Sequence, residues 1–229
     1  FQINRSILPE LEIREEIKKK LFVVITADRG MAAAFNSNII KIAQKSIDDF
    51  GKDKSDIICI GKKGINFFKH RNYKIVSSHQ DFWNELNFKK AIEINEKILN
   101  YFINRKVDEV VVIYNKFVNV GKQEIQNEVF LPLSYNQSKN IDNKTEQIYE
   151  PSKDEVIKNL VPRYLNTIIW QYLLESFASE QAARMVAMEN ATTNAQDMIK
   201  DLKLQFNKAR QTAITTEMLE IVSGAEALS

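Results

Sequence analysis

The stretch Leu21-Phe22-Val23-Val24-Ile25, which runs directly into Thr26-Ala27-Asp28-Arg29-Gly30, decides the fold. A short, continuous run of apolar and largely β-branched residues is typical of a strand that is buried on both faces. The polar residues that follow mark the end of this strand. Because a helical pattern comes next, the stretch predicts the first strand and turn of a parallel β-sheet.

The same alternation of strand and helix continues outward from this stretch. Further apolar runs lie at Ile57–Ile60, Tyr73–Val76 and Val110–Tyr114. Helical periodicity lies between them, at Ile39–Phe50, Gly61–His70 and Ala91–Ile103. Alternating elements of this kind predict right-handed βαβ units and a small open parallel sheet, an α/β domain over residues 20–133. Lys122–Leu131 reads as a further strand at the sheet edge, because Pro132 removes a ladder donor.

The pattern changes completely after residue 133. Residues 134–151 are mostly polar and predict a loop, and the segment 1–19 is taken as the remnant of an N-terminal element. Ser152, followed three residues later by Glu155, predicts a capped helix over residues 152–229. Pro162 is expected to break or kink this helix after about two turns. The 61 residues from Arg163 to Ser223 contain neither glycine nor proline, which corresponds to a helix of roughly 90 Å.

An apolar stripe along this helix predicts the seam of a coiled coil. Its members recur at spacings of three and four residues with one slip. They are Met188, Ala191, Ala195, Ile199, Leu202, Phe206, Ala209 and Ala213. Half of them are alanine, so a partner backbone can approach closely. We expect that partner to be another chain or a segment upstream of Phe1.

Composition excludes several classes of function. The 229 residues carry 32 basic and 30 acidic side chains, a formal charge of +2, so the chain lacks the basic footprint of a nucleic-acid-binding protein. A single cysteine, Cys59, cannot build a disulfide framework or a cysteine metal site. Neither a membrane span nor a signal peptide is visible in the sequence.

Candidate catalytic or cofactor-binding residues are few. The turn at Asp28 lies where open α/β sheets hold ligands, but it has alanines where a phosphate loop needs glycine. His70 and His79 lack partners at metal-ligand spacing and are predicted to be surface side chains. Glu180, Arg184 and Glu189 are predicted to belong to a solvated helix face. The sequence therefore predicts no catalytic residue, no metal site and no cofactor.

Four groups of residues form recognisable motifs: Ile25–Gly30 with Ala34–Asn38, Glu175–Met188, Lys208–Gln211 and Glu220–Ala225, the last three within a block that extends from Glu175 to Leu228. These motifs resemble the γ subunit of F-type ATP synthases. The resemblance also covers Val107–Asn115 and Gly61–Lys69. The chain departs from the family pattern at Ala33-Ala34, where glycines are usual. The resemblance implies a Rossmann-like α/β domain beside an antiparallel coiled coil, in which the long C-terminal helix is one strand and the N-terminal helix is expected to be missing from this sequence.

This resemblance implies a non-catalytic central-stalk rotor, which couples rotation of the c-ring to conformational change at the β-subunit catalytic sites. The implied partners are the α and β subunits, the ε-type subunit (δ-type in mitochondria) and the c-ring, with no nucleic acid and only indirect membrane contact. The implied location is peripheral, on the cytoplasmic face of the bacterial inner membrane or the matrix face of the mitochondrial one. Arg210, Gln211, Thr215 and Glu217 match residues that bind a β-subunit loop.

Two alternatives remain open from the residues alone. The four polar residues near the end of the helix can be ordinary exposed helix polarity. The whole chain can be an α/β ligand-binding domain with a helical oligomerisation arm, in which case the turn at Asp28 is the ligand site.

Overall fold

A computed structural model describes residues 10, 12–14, 16–133, 150 and 152–226. The predicted segment 1–19 is therefore covered in part, and of the predicted loop 134–151 only Glu150 lies within the described residues. In chain order the elements are β1 (Lys20–Ile25), α1 (Phe35–Phe50), β2 (Ser55–Ile60), α2 (Lys62–His70), β3 (Ile75–His79), α3 (Phe88–Ile103), β4 (Glu109–Asn119), β5 (Lys122–Leu131) and α4 (Lys153–Glu226). Short 3-10 turns lie at Lys52–Lys54 and Phe82–Glu85.

The five strands form one sheet in the order β3-β2-β1-β4-β5. The first four are parallel, while β5 pairs antiparallel with β4 and forms an edge, as predicted for Lys122–Leu131. This confirms the predicted α/β class and makes the sheet mixed rather than wholly parallel. The third strand lies slightly later than predicted, at Ile75–His79 instead of Tyr73–Val76.

Helices cover both faces of the sheet, which explains the continuous apolar runs. Alternate residues of β1, such as Val24 and Val23, point to opposite faces. Val24 packs in the cluster that contains the buried residues of α1 and α2, and Val23 packs in the cluster that contains α3 and Leu165 of α4. Cys59 of β2 is fully buried and unpaired, and burial raises the pKa of its thiol to about 12.

The long helix α4 begins at its predicted cap. The amide of Glu155 donates to Ser152 Oγ at 3.3 Å. The predicted break at Pro162 is wrong, because α4 is helical through this residue, whereas the alternative of a kink there stays a prediction. Pro162 leaves the carbonyl of Lys158 without its usual amide donor, and Lys158 is exposed, so water can hydrogen-bond to that oxygen.

The chain divides into two compact units, residues up to Arg184 and residues from Met185 onward. In the first unit, Leu165, Ile169 and Leu173 of α4 are buried in the core on one face of the sheet. The division at residues 133 and 152 proposed from the sequence stays a prediction. Among the described residues, no helix is both long enough and apolar enough to cross a membrane.

Candidate functional site

The first candidate site lies at the carboxyl ends of β1 and β4. These two strands are neighbours, but the chain passes from β1 to β2 on one side and reaches β4 only later on the other. Such a reversal of strand order opens a crevice, and open α/β sheets bind ligands there. The turn at Asp28 and the last residues of β4 form this edge.

Close backbone packing fixes the end of β1. Thr26 is fully buried, and its Oγ1 donates to the Ile60 carbonyl at 3.0 Å and accepts from the Gly64 amide at 2.9 Å. Gly61 has φ +93°, and a Cβ placed there would lie 1.9 Å from the Thr26 carbonyl oxygen. Only glycine fits at this approach, so β1 and the start of α2 meet through their backbones.

The carboxylate of Asp28 has a structural role. Its Oδ1 accepts from the Lys62 amide at 2.8 Å, so it supplies an acceptor for the first residue of α2. Asn36 ties down the rest of the turn, with Oδ1 accepting from the Ala27 amide at 2.9 Å. In this turn Met31 and Ala33 have positive φ values of 61° and 46°. The turn therefore holds its path through side-chain bonds rather than through glycines.

Helix α4 occupies the crevice itself. Ser176 and Ser179 are 1% and 0% exposed and lie beside Asn115 of β4. The Asn115 amide donates to Ser176 Oγ at 3.2 Å, and Ser179 Oγ donates to the Asn115 carbonyl at 3.1 Å. Pairing of β4 with β1 ends just before, at Ile113. Two serine hydroxyls therefore take over as hydrogen-bond partners for β4 where β1 has ended.

A buried ion pair follows one turn later on α4. Glu180 is 6% exposed and is paired with Arg184, which also donates to the Gly30 carbonyl at 2.7 Å. Gln181 donates to the other carboxylate oxygen at 3.1 Å. The prediction of a solvated face is therefore wrong for Glu180 and Arg184, whereas Glu189 is exposed as predicted.

A tyrosine pair joins α4 to the last two strands. Tyr114 and Tyr172 stack with ring centroids 4.2 Å apart, and both hydroxyls donate to Glu128, at 3.2 Å and 2.8 Å. Burial, together with the Glu128 carboxylate, raises the pKa of both phenols well above the ordinary value. Both tyrosines therefore stay protonated donors at neutral pH.

A small polar cavity remains at the outer side of this edge. Its volume is about 440 Å³, and its lining includes Asp28, Arg29, Lys62, Trp83 and Phe177. The Trp83 ring stacks on Phe177 at 5.9 Å, and its Nε1 donates to the Thr26 carbonyl at 2.9 Å. Among the described residues, no group of three or more His, Cys, Asp or Glu side chains could hold a metal. Helix α4 therefore fills the crevice beside Asn115, while this cavity lies against the turn at Asp28.

The two histidines differ in exposure. His70 is exposed as predicted, whereas His79 is half-buried at the end of β3, 3.2 Å from Ser77 Oγ. Burial lowers the pKa of His79.

The second candidate site is the exposed stretch of α4 from Met185 to Ala225. Large apolar side chains of the predicted seam are open to solvent, with Leu202 57% and Phe206 67% exposed. Every described seam residue from Met188 to Ala213 is exposed. Contiguous exposed apolar residues of this extent are typical of a protein-binding surface.

The four residues proposed to contact a partner lie on the same exposed stretch. Arg210, Gln211, Thr215 and Glu217 are all exposed. Thr215 Oγ1 donates to the Gln211 carbonyl of its own helix at 2.9 Å. Their side chains are therefore accessible to another protein, and their role stays a prediction.

Comparison with known proteins gives a consistent result. The family model described as ATP synthase matches residues 3–228. Relatives named ATP synthase gamma chain are 44% identical over 232 residues in Prosthecochloris aestuarii and 43% identical over 242 residues in Chloroherpeton thalassium. Each alignment covers 99% of this chain, and 79% and 80% of the relatives.

Solved structures show the same fold. The central stalk and c-ring structure of Tetrahymena thermophila mitochondrial ATP synthase contains a chain with TM-score 0.64 and 24% identity, over 82% of this chain and 83% of that one. A chain in rotational state 3 of the Euglena gracilis mitochondrial enzyme has TM-score 0.69 and 19% identity, over 100% of this chain and 81% of that one.

Proposed function

The chain belongs to the ATP synthase γ-chain family, and on that premise we propose that it is the non-catalytic central-stalk rotor subunit of a proton-translocating ATP synthase. Catalysis belongs to the β subunits of such a complex, and this chain supplies the asymmetric shaft between them. The observation that carries the proposal is the exposed apolar seam of α4, which needs protein to cover it.

The mechanism rests on differential contact. A helix with distinct faces presents a different surface to each of its surrounding subunits, so each rotary position favours a different conformation of their sites. Rotation then changes the affinities of these sites in turn, and the coupling is reciprocal. Rotation driven by the c-ring can therefore promote ATP synthesis, and ATP hydrolysis can drive rotation in reverse.

We propose the α and β subunits, an ε-type subunit and the c-ring as partners. The solved structures that the chain resembles are a central stalk with its c-ring and an F1 assembly with its c-ring, which supports this set. The complex is bound to a membrane, and we place this subunit peripherally on its cytoplasmic face, or on the matrix face in a mitochondrion. The crevice filled by α4 counts against the alternative of a ligand-binding domain.

Co-expression with the α and β subunits of the source organism tests the function. We expect a stable complex that hydrolyses ATP, whereas the chain alone hydrolyses none, because it contributes no catalytic residue. Size-exclusion chromatography and a coupled ATPase assay measure both results. Failure of the chain to co-purify with α and β would rule out the proposal.

Substitutions at two leucines on different sides of α4 provide a control for this experiment. Leu202 lies on the seam, while Leu204 is 70% exposed and two residues away, so it points to another side of the helix. Leu202→Glu places a charge in the seam and should weaken assembly by about tenfold or more. Leu204→Glu should assemble like the unaltered chain, and equal losses would contradict a role for the seam.

We further propose that Arg210, Gln211, Thr215 and Glu217 contact a β-subunit loop. Arg210→Ala with Gln211→Ala should weaken binding to the α and β subunits by about tenfold, since truncating one side of an interfacial hydrogen-bonded charge is costly. Thr216→Ala is the control, because Thr216 is an exposed polar residue that lies about 100° or more around the helix from all four. Titration of the complex by light scattering measures both. An equal effect of the two changes would show ordinary helix polarity.

A further inference from the structure

The way in which α4 is held on the sheet has consequences for a rotor. Apolar contacts of Leu165, Ile169 and Leu173 resist separation of the helix from the sheet. Hydrophobic attraction is not directional, however, so it opposes rotation of a helix about its own axis only weakly. Hydrogen bonds need correct distance and angle, and they can fix that rotation.

Ser176, Ser179 and the Asn115 peptide groups form such a directional attachment, which we call the serine clamp. The two serines are three residues apart and therefore neighbours on one helix face. One accepts from the Asn115 amide and the other donates to the Asn115 carbonyl, at 3.2 Å and 3.1 Å. A shift of the helix by one residue turns this face by about 100° and breaks both bonds.

A second attachment lies farther along the same helix. Arg184 donates to the Gly30 carbonyl in the turn after β1. It lies eight residues after Ser176, about 12 Å along the helix axis. Together with the bond from Tyr172 to Glu128, directional bonds hold the helix on β4, on β5 and in the turn after β1. Separate points of attachment fix its orientation as well as its position.

We propose that the serine clamp transmits torque between the sheet and α4, so that the helix turns with the sheet without slipping. The proposal rests on the rotor function above. The clamp matters when the rotor works against an opposing proton gradient, because without such a load the helix exerts little torque on its attachment. Loss of the clamp should therefore lower the coupling between proton movement and ATP turnover most strongly at high load.

The complete ATP synthase, reconstituted in liposomes, provides the test. Ser176→Ala with Ser179→Ala removes both hydroxyls. ATP-driven proton uptake per ATP hydrolysed is measured at increasing opposing proton gradients. We expect a fall of about threefold or more at a high gradient, as two buried hydrogen bonds are lost, and near-normal hydrolysis without a gradient.

The control is Ser46→Ala with Thr167→Val. Ser46 bonds Asn127, and Thr167 bonds the Arg163 carbonyl of its own helix, so neither joins α4 to the sheet. The control should keep the unaltered ratio at every gradient. A purely structural role of the clamp would lower the amount of assembled complex but not change the dependence on load. A ratio unaffected by the clamp substitutions at all gradients would overturn the proposal.

Hydrogen exchange, measured on the isolated chain, tests the clamp even if the doubly substituted chain assembles poorly. The Asn115 amide should exchange on the order of tenfold faster after Ser176→Ala. Unchanged exchange would show that the hydroxyl does not hold this amide, and the clamp would be rejected. If the unaltered chain itself supports no pumping, the rotor function fails rather than the clamp.

Discussion

Gly61→Ala is expected to destabilise the sheet domain by about 3–5 kcal/mol, from steric overpacking and a positive φ. The new Cβ would lie 1.9 Å from the Thr26 carbonyl oxygen and 2.6 Å from its carbonyl carbon. Neither atom can move easily. The Thr26 carbonyl accepts from Trp83 Nε1 at 2.9 Å, and the Thr26 amide donates to the Ile60 carbonyl at 2.8 Å.

Urea unfolding of the full chain, followed by tryptophan fluorescence, measures this loss. Trp83 is a suitable reporter because its indole contacts the affected backbone. Gly121→Ala is the matched control: its nearest neighbour is Asn119 Oδ1 at 3.6 Å, an ordinary contact, and its φ is not in the positive region. We expect a change within about 0.5 kcal/mol there. Equal stability of the two substituted chains would show that the approach of Gly61 to Thr26 is not a constraint.

The central strands could be predicted because their physical signal is local. The runs in β1, β2 and β4 are apolar on both faces, since each strand has a covering helix layer on either side. The predicted third strand lies too early in the chain, because β3 is an edge strand with Ser77, Ser78 and His79 in it. Its pairing with β2 supplies the stability that its side chains do not.

The attachment of α4 could not be predicted, because it depends on what lies opposite the helix. Glu180 and Arg184 have the i, i+4 spacing of a common surface ion pair. Ser176 and Ser179 have no distinctive periodicity at all. The Asn115 peptide groups can bond these serines only because β4 continues past Ile113, where its pairing with β1 ends. The sequence of α4 alone therefore does not predict the gap in the sheet that these serines fill.

The seam, unlike the attachment of α4, can be recognised from the sequence. Its spacing is strong in the sequence, and the structure leaves the same residues exposed. Four alanines give this stripe little apolar surface to bury, but they allow the backbone of a partner to approach the helix closely. Periodicity therefore agrees with the exposure of this stretch, whereas it predicts the crevice-filling contacts poorly; the role of the seam in binding stays a prediction.

Arg184→Ala is expected to cost about 3 kcal/mol of stability, because it leaves a buried carboxylate without its cationic partner. Glu180 is 6% exposed and would keep only the bond from Gln181, while the Gly30 carbonyl would lose its donor. Replacing both members, Glu180→Gln with Arg184→Met, removes the buried charge and should cost less than Arg184→Ala alone. The Glu180 carboxylate, rather than lost packing, would then explain the difference.

Thermal and urea unfolding of the full chain measure these effects. Lys90→Ala is the control, because it removes an ion pair with Glu85 that is 2.6 Å long but largely exposed. Exposed pairs contribute about 0–1 kcal/mol, so we expect a small change. If Arg184→Ala were as mild as Lys90→Ala, the ion pair would contribute nothing to holding α4 against the turn after β1, and the second attachment of the rotor helix would be excluded.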